Sequence, residues 1–315
     1  MIVVGGEALM DLVPAPDQGR AEGGLSLMLP RRGGGPYNTA VALGRLGAPV
    51  AFCSRVSTDA YGAALVEGLQ KAGVDTALVQ RGPEPTMLAV TAISEGGSAA
   101  YTFYHQGTAD RLFTAPGSLP PLTRALALGT CSLALEPTAS AYEHMLLRES
   151  GRGLFIALDP NIRPNVITDP DAYRARFRSW LPHLSLLKVS FEDTAWLSGC
   201  GTGEEAVLDA ARGWARTGPS AVVLTGGGAG LWAVTATGDT VHVPAAACEV
   251  ADTIGAGDTV YAALLDGLHR GDALRPDARL THDEWRELLV FAARAAAVTC
   301  SRRGADSPHR AELLD

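Results

Sequence analysis

The sequence predicts an α/β protein in which a mostly parallel central sheet lies between two layers of helices. Short β-rich runs such as "LFIALDP" and "AVVLTGG" alternate with helical patterns from one end of the chain to the other. That alternation is typical of strand–helix–strand units, and the near-continuous apolar runs are typical of strands buried on both faces. We therefore expect a three-layer α/β/α sandwich that forms a single domain over residues 1–315.

Two stretches interrupt this alternation and predict a second, smaller sheet. Residues 12–32 contain proline, glycine and the short apolar piece "LSLMLP", but no helical pattern. Residues 86–106 predict two strands joined by "EGGS", a hairpin signal. Together they predict a small antiparallel sheet that forms a lid over about residues 12–32 and 86–108. Such a sheet needs cover on its apolar face, from a substrate, a second subunit or both.

Composition excludes several classes of function. The formal net charge of −8 argues against nucleic acid and anionic membrane surfaces as partners. No apolar run approaches the length that spans a membrane, and "MIVVGGEALMD" lacks the basic start of a signal peptide. The five cysteines are too widely spaced for a zinc site or a redox pair. These features predict a cytoplasmic protein with reduced thiols and a small-molecule partner.

The segment "DTIGAGDTVYAALL", residues 252–265, combines glycines and acids at the predicted start of a helix. Gly255, Ala256 and Gly257 would offer free N–H groups to an anion, favoured by the helix dipole. The carboxylate of Asp258 would be unfavourable beside a phosphate unless it takes a proton from an attacking hydroxyl. Phosphoryl transfer to an alcohol needs both an anion site for the phosphate and a base for the hydroxyl proton. An acid in a first helical turn also suits the dipole without any catalytic role, so this motif alone leaves both interpretations open.

Three other segments could carry ligand contacts. In "RRGGGPYNTAVALGRLG", three glycines precede a helix with Asn38 in its first turn, which is either a flexible loop or a loop that admits a polyhydroxy ligand. The run "VVLTGGGAGLWAV" lacks the dinucleotide fingerprint and by itself indicates a glycine-rich hairpin. In "ALDPNIRP", Arg163 follows a buried strand at the edge where α/β proteins bind ligands, although it could also form a surface ion pair.

These segments, in this order, resemble the ribokinase-like, or PfkB, carbohydrate kinases from residue 1 to about residue 310. "GGGPYNTAVALGRLG" resembles the first signature of that family and "DTIGAGDTVYAALL" the second. The resemblance implies a ribokinase-like fold with a small β lid. It also implies transfer of a phosphoryl group from ATP, with Mg²⁺, to a primary hydroxyl of a sugar. Asp258 would be the catalytic base, and residues 255–257 would form the anion hole.

The resemblance also implies which residues bind each substrate. "GGEALMD" is similar to the family's first strand, which ends in a sugar-contacting acid, here Asp11. The sugar-binding residues would be Asp11, Gly34, Gly35, Asn38, His105 and Arg163. The nucleotide-binding residues would be Lys188, Ser190, Thr225, Gly226, Gly228 and Gly230.

Two cation sites follow from the same resemblance. The family often has Asn-x-x-Glu near magnesium, whereas "KVSFED" gives Ser190 and Asp193, with Glu192 between them. Because magnesium keeps several waters, Asp193 and Glu192 would organise it through water. The resemblance implies a monovalent cation as well, K⁺, which would take mostly backbone oxygens. Its residues would be Asp252, Ile254, Thr299, Arg302, Gly304 and Ser307, with loop capping as the alternative role for Asp252.

Within the family, the segments "GEALMDLVP", "FYHQGTADR" and "DPNIRP" are most similar to bacterial fructokinases, so fructose is the expected substrate. His105 stands where those enzymes often carry arginine. Alternatives are a kinase for 2-keto-3-deoxygluconate or another sugar acid, with His105 and Arg111 as cationic contacts, and a nucleoside kinase with a base slot along "TFYH". A non-catalytic sugar sensor is the alternative from another class, although it would not need Asp258. The family resemblance also implies a homodimer joined through the lids.

Overall fold

The computed structural model describes residues 1–15, 25–93 and 99–313. Its larger sheet has nine strands in the order β13-β12-β11-β10-β9-β8-β1-β4-β5. Seven strands run parallel, and β12 and β13 add antiparallel strands at one edge. The bounds are β1 Ile2–Gly5, β4 Val50–Ser57, β5 Val79–Gly82, β8 Ala125–Gly129, β9 Phe155–Asp159, β10 Leu186–Ser190, β11 Ala221–Thr225, β12 Leu231–Thr235 and β13 Thr240–Val243.

Helices cover both faces of this sheet, which confirms the predicted α/β/α sandwich. One face packs against α1 Gly35–Arg45, α2 Ala60–Lys71, α7 Ala256–Arg270 and α8 His282–Cys300. The other face packs against α3 Thr138–Gly151, α4 Pro170–Trp180, α5 Phe191–Ser198 and α6 Glu204–Ala215. Alternate strand residues point to opposite faces, so Val4 joins the first apolar core and Val3 the second.

Four strands form the separate lid sheet, in the order β3-β2-β6-β7. Their bounds are β2 Leu9–Pro14, β3 Met28–Gly33, β6 Leu88–Ile93 and β7 Ala99–Tyr104. The prediction that this sheet is antiparallel was wrong in one respect, because β2 and β6 pair in parallel. The chain leaves the lid after β3 and returns only after β5, so it enters β6 in the direction of β2. The predicted turn "EGGS" lies outside the described residues.

The predicted first strand was too long. It was expected to run to Asp11, but β1 ends at Gly5, and Asp11 lies on lid strand β2. Gly6 separates the two strands with φ of +148°, a backbone conformation that side-chain-bearing residues rarely adopt. A Cβ there would also lie 2.2 Å from Cγ of Pro36. Asp11 is therefore carried by the lid and not by the central sheet.

Helices α7 and α8 begin as their sequences predict. Gly255 is the N-cap of α7, with φ of +78°, and Gly271 follows the last turn. Thr281 and Glu284 form the predicted capping box of α8. Helix α7 packs against α1 and α8, and Leu264 near its centre is fully buried. The start of α7 is thereby held beside the carboxyl ends of the central strands.

Within the described ranges, no helix is both long and apolar enough to cross a membrane.

Candidate active site

A cavity of about 290 Å³ lies between the lid, the start of α7 and the carboxyl ends of the central strands. It brings together eight of the residues predicted for sugar binding or catalysis, from four separate segments of the chain. These are Asp11, Gly34, Gly35, Asn38, Arg163, Gly255, Gly257 and Asp258. Ligand sites in α/β proteins occupy this edge of the sheet.

Asp258 is the third residue of α7, and its side chain is buried at the bottom of the cavity. One carboxylate oxygen accepts a 2.8 Å hydrogen bond from Nδ2 of Asn38, which lies 220 positions earlier in the chain. Asn38 is in the first turn of α1, so this bond joins the starts of two helices. The bond leaves the second carboxylate oxygen of Asp258 available to a ligand in the cavity.

Burial raises the pKa of Asp258 above its usual value, against the opposing effects of Asn38, Lys188 and Arg163. Burial also raises the pKa of Asp11 to about 7, and the nearby charge of Asp258 adds to that shift. A carboxylate with a raised pKa is a stronger base than an exposed one. The cavity therefore holds two carboxylates with raised pKa values, and that of Asp11 lies near neutral pH.

The start of α7 offers the free backbone donors that the predicted anion site requires. In the described part of the chain, the N–H groups of Gly255 and Gly257 have no hydrogen-bond partner. The N–H of Ala256 donates a weak 3.3 Å bond to the carbonyl of Thr253, and Ala256 does not line the cavity. Gly257 and Gly255 are thus better placed than Ala256 to donate to an anion.

Lys188, predicted as a nucleotide-binding residue, lies beside the start of α7. It is the third residue of β10, its side chain is 4% exposed, and its ammonium group pairs with Asp159 at 2.8 Å. A Cβ on Gly257 would lie 3.0 Å from Nζ of Lys188, so the missing side chain makes room for the ammonium group. Asp159 and other carboxylates raise the pKa of Lys188 against the effect of burial, which keeps a positive charge behind the anion site.

Two glycines of the first motif allow close approach to the cavity. Gly34 has φ of +104°, and a Cβ there would lie 2.8 Å from the carbonyl oxygen of Glu7. A Cβ on Gly35 would lie 2.4 Å from Oγ1 of Thr130 and 3.3 Å from Oδ1 of Asp258. A side chain at Gly35 would fill the space beside the Asp258 carboxylate, and one at Gly34 would clash with the backbone of Glu7.

Arg163 enters the cavity from the loop after β9. Its Nη1 donates to the side-chain oxygen of Asn161 at 2.8 Å and to the carbonyls of Asn161 and Ile162. Asn161 has φ of +41° and donates in turn to Oγ1 of Thr130 at 3.4 Å. The guanidinium is therefore oriented by its own loop, and it forms no ion pair with any residue that the structure describes, which was the alternative role.

The glycine loop 226–230 connects β11 to β12. Thr225 ends β11 beside Ser190 on β10, so both side chains lie at the carboxyl edge of the sheet. The loop is closed by a 2.9 Å bond from the N–H of Gly226 to the carbonyl of Gly230. A Cβ on Gly228 would meet no atom within 4 Å, whereas a Cβ on Gly230 would lie 2.2 Å from the carbonyl of Val243. The loop is therefore tightly folded and open on one side.

The candidate magnesium residues differ in their surroundings. Both oxygens of Asp193 accept from backbone N–H groups, one from Ile162 at 2.9 Å and one from Ser190 in a capping box. Glu192 is exposed. Among residues 1–15, 25–93 and 99–313, no group of three or more His, Cys, Asp or Glu side chains could hold a metal. These residues fit a magnesium ion held by phosphates and water, and they do not form a cage for the metal.

The candidate monovalent-cation residues meet where the tail touches the loop before α7. Asp252 accepts from the N–H of Gly304 at 2.8 Å and from that of Ile254 at 3.0 Å, so it caps the loop as the alternative role proposed. The carbonyl of Ser307 accepts from Arg45. The Thr299 hydroxyl is buried against that of Thr259, and the Arg302 side chain pairs with Glu312. Ile254 also lines the cavity.

His105 is the predicted sugar contact that the structure does not bring to the cavity. It follows β7, and its Nδ1 lies 2.8 Å from Nη1 of Arg111. Neither side chain lines the cavity. Burial and the Arg111 charge lower the pKa of His105, which favours the neutral ring.

Eight further residues line the cavity without having been named individually as site residues, among them Glu7, Thr130, Tyr101 and Phe103. Phe103 belongs to the segment "TFYH" that was expected to line a base slot. Glu7 is buried, and it accepts from the N–H and hydroxyl of Ser132. Burial raises its pKa to about 7. Thr130 has φ of +61° and follows β8, and polar residues directly after buried strands are a signal that could have identified it. Tyr101 and Phe103 of the lid face the cavity, and their rings stack with centroids 6.3 Å apart.

The chain matches the pfkB family carbohydrate kinase model over residues 1–312. It is 37% identical over 277 residues to a fructokinase of Rhizobium leguminosarum bv. trifolii, covering 87% of this chain and 81% of the relative. A fructokinase structure from Xylella fastidiosa with bound ATP is similar in fold, with a TM-score of 0.86, 24% identity and coverage of 99% and 96%. A fructokinase double mutant from Vibrio cholerae O395 with fructose, ADP and potassium ion bound has a TM-score of 0.84 and 25% identity, with coverage of 99% and 96%.

The family match spans nearly the whole chain, and both signature segments contribute side chains or backbone groups to the same cavity. The chain therefore belongs to the pfkB family of carbohydrate kinases, enzymes that transfer a phosphoryl group to a sugar hydroxyl.

Proposed function

We propose that this protein phosphorylates D-fructose at its 6-hydroxyl, with ATP as the phosphoryl donor. The observation that carries the proposal is the position of Asp258, whose carboxylate lies in the cavity beside the open N–H groups at the start of α7. The similarity to fructokinases over most of the chain supports fructose as the acceptor. The fructose and ADP bound in the Vibrio cholerae relative support the same pair of substrates.

The charges in the cavity favour a neutral polyhydroxy substrate over a sugar acid. Three carboxylates line it, from Glu7, Asp11 and Asp258, against the single guanidinium of Arg163. Carboxylates accept hydrogen bonds from sugar hydroxyls, whereas they repel a substrate carboxylate. His105 and Arg111, the cationic contacts proposed for a sugar acid, pair with each other outside the cavity.

In the proposed reaction, Asp11, Asn38 and Arg163 orient the sugar, and Gly34 and Gly35 allow its close approach. Asp258 takes the proton of the 6-hydroxyl as the oxygen attacks the γ-phosphorus in line. The bond from that phosphorus to the β–γ bridging oxygen breaks, and ADP leaves. The N–H groups of Gly255 and Gly257 and the charge of Lys188 stabilise the phosphoryl oxygens. The lid excludes water, which limits hydrolysis of ATP.

Two cations would assist this reaction. Magnesium bound to the phosphates would neutralise their charge, with Glu192 and Asp193 contacting it through water. The potassium ion in the Vibrio cholerae relative supports a monovalent cation here. It would lie between the Asp252–Ile254 loop and the tail, where Thr299, Arg302, Gly304 and Ser307 supply mostly backbone oxygens. ATP would extend over the loop of Thr225, Gly226, Gly228 and Gly230, beside Ser190.

A nucleoside is the second candidate acceptor, because two lid aromatics face the cavity. Tyr101 and Phe103 are stacked and line the same space as Asp11. A base could stack on such a pair, as aromatic side chains favour. The carboxylates of the cavity can accept hydrogen bonds from the hydroxyls of ribose as well as from those of fructose. The two candidate acceptors therefore differ mainly in size.

The proposed enzyme is a cytoplasmic, single-domain kinase that acts as a homodimer. The lid sheet buries one face against the cavity, and Leu25, Leu27 and Tyr104 at its margins are exposed. A second lid would cover such apolar groups. Sedimentation velocity at micromolar concentration is expected to give about twice the mass of one chain. A single species at the mass of one chain would contradict the dimer.

Replacing Asp258 with Asn is expected to reduce kcat by roughly 10²–10⁴-fold, because the amide keeps the bond to Asn38 but cannot take a proton. ADP release with fructose and ATP measures this. Asp277→Asn makes the same chemical change at a residue whose side chain is 89% exposed, and it should leave kcat unchanged. Near-wild-type turnover in a folded Asp258→Asn variant would exclude the proposed base.

In the wild-type enzyme, kcat/KM is expected to fall on the acid side of its pH profile, with the midpoint of this acid limb near pH 7. The pKa of Asp11 is raised to about 7 and that of Asp258 is also raised, so activity should fall as protons bind below neutral pH. In Asp11→Asn, the group whose pKa is about 7 is removed together with its negative charge beside Asp258, so the limb should move to lower pH. A limb that stays in place in this variant would show that Asp11 does not set it.

The acceptor is tested by ADP release across fructose, ribose, 2-keto-3-deoxygluconate and adenosine, with and without Mg²⁺ and K⁺. The largest kcat/KM is expected with fructose, with activity lost on removal of Mg²⁺ and reduced on replacement of K⁺ by a bulky organic cation. A preference for adenosine would be consistent with the same mechanism but would identify a nucleoside as the acceptor. No turnover with any acceptor, despite ATP binding, would favour the sugar sensor.

A further inference from the structure

A second concave site lies behind the start of α7, on the far side of α1 from the core. It is a cavity of about 560 Å³ between lid strand β3, helices α1 and α2, and the tail after α8. We call it the basic groove. Its charged residues are Arg31, Arg32, Arg45, Lys71, Arg303, His309 and Asp306.

The groove has the opposite charge to the protein as a whole. Five arginine or lysine side chains line it against the single carboxylate of Asp306, whereas the whole chain carries a formal charge of −8. Such a local concentration of cations in a concave surface attracts small anions from solution. Because the rest of the surface is acidic, a long polyanion such as nucleic acid would be repelled beyond the groove.

Some of these cations are neutralised within the protein and others are not. Arg45 donates to Asp306 at 2.6 Å, and Lys71 forms an exposed pair with Glu67, which is worth little in solution. The side chains of Arg31 and Arg303 form no hydrogen bond or ion pair with any residue that the structure describes. Both are exposed, on opposite sides of the groove.

The base of the groove is shaped by a glycine and a buried tyrosine. A Cβ on Gly68 of α2 would lie 2.1 Å from the hydroxyl of Tyr37 and 2.9 Å from Nη1 of Arg32. Arg32 also donates to the carbonyl of Ala64 at 3.4 Å, so its side chain lies along α2. Burial raises the pKa of Tyr37 to about 12, and the hydroxyl therefore stays protonated as a hydrogen-bond donor. The groove thus presents donors from its base as well as from its rims.

We propose that the basic groove binds a small metabolite with two phosphate groups, separately from the ATP and sugar of the active site. Guanidinium groups bind phosphate oxygens through paired hydrogen bonds. The cations of the groove lie on several of its walls, so that a single phosphate group could not contact all of them. The volume fits a compound of metabolite size. A sugar bisphosphate and a nucleoside diphosphate share this chemistry.

The position of the groove connects it to the active site. Asn38, which donates to Asp258, lines both cavities. Gly304 and Ala305 line the groove, and the N–H of Gly304 binds Asp252, while a Cβ on Gly255 would lie 2.6 Å from that of Ala305. A ligand in the groove would therefore rest on the tail segment that packs against the anion site.

The test is calorimetric titration at low salt of enzyme saturated with fructose, Mg²⁺ and a non-hydrolysable ATP analogue, which occupies the active site. Fructose 1,6-bisphosphate and ADP are titrated separately. At least one is expected to bind with one equivalent per chain. In the double variant Arg31→Gln/Arg303→Gln, affinity should fall tenfold or more, since two guanidinium groups would no longer donate to the phosphates.

The matched control is Arg178→Gln/Arg216→Gln, which removes two exposed arginines outside the groove and changes net charge equally. It should bind the probe like the wild-type protein. Absence of binding by the wild-type protein, or equal affinity in the Arg31→Gln/Arg303→Gln variant, would overturn the proposal. Citrate binding as tightly as the bisphosphate would overturn the assignment to phosphate compounds. Because the readout is binding, it is independent of which acceptor the enzyme phosphorylates.

Discussion

The hydrogen bond from Asn38 to Asp258 is the contact on which the site depends. It joins the first turns of α1 and α7, two helices that belong to distant parts of the chain and pack against the same face of the sheet. The bond holds the carboxylate in a buried position where its pKa is raised. Without it, Asp258 would be a buried carboxylate with an unsatisfied oxygen, which is costly for folding. Local structure and proposed catalysis therefore rest on one polar contact.

A second polar contact, the ion pair of Lys188 with Asp159, places a positive charge near the Asp258 carboxylate. The buried ammonium of Lys188 pairs with Asp159 and lies beside Gly257, directly behind the N–H groups of α7. Buried charges of this kind are tolerated when they are paired and hydrogen-bonded. The arrangement provides positive potential where a transferred phosphoryl group would carry negative charge, and it does so before any ligand binds. Such preorganised charge is a large contributor to enzymatic catalysis.

The lid and the tail place two different electrostatic environments on either side of α7. Glu7, Asp11 and Asp258 make the cavity under the lid acidic, whereas the groove behind α1 is basic. The two share Asn38, and Gly255, which lines the acidic cavity, packs against Ala305, which lines the groove. The acidic cavity is suited to hydroxyl groups and the basic groove to phosphates. One short segment of backbone is therefore in contact with both kinds of surface.

Much of the fold could be predicted because it depends on local patterns. Alternating apolar runs and helical periods indicated the sandwich, and the glycines before Asp258 indicated a helix start with an anion site. The capping box of α8 also followed from residues three positions apart. The first strand was predicted too long because its apolar run continues past Gly6, and only the positive φ at that residue shows where the strand ends.

The sequence by itself determined the layered α/β architecture, the helix starts and the residue types available for phosphoryl transfer, since these depend on neighbours within a few positions. Tertiary structure decided the parallel pairing of β2 with β6, the position of Lys188 behind the anion site and the exclusion of His105 from the cavity. It also decided that Glu7 faces the ligand space. Those features depend on contacts between residues far apart in the chain, and no local pattern encodes such distances.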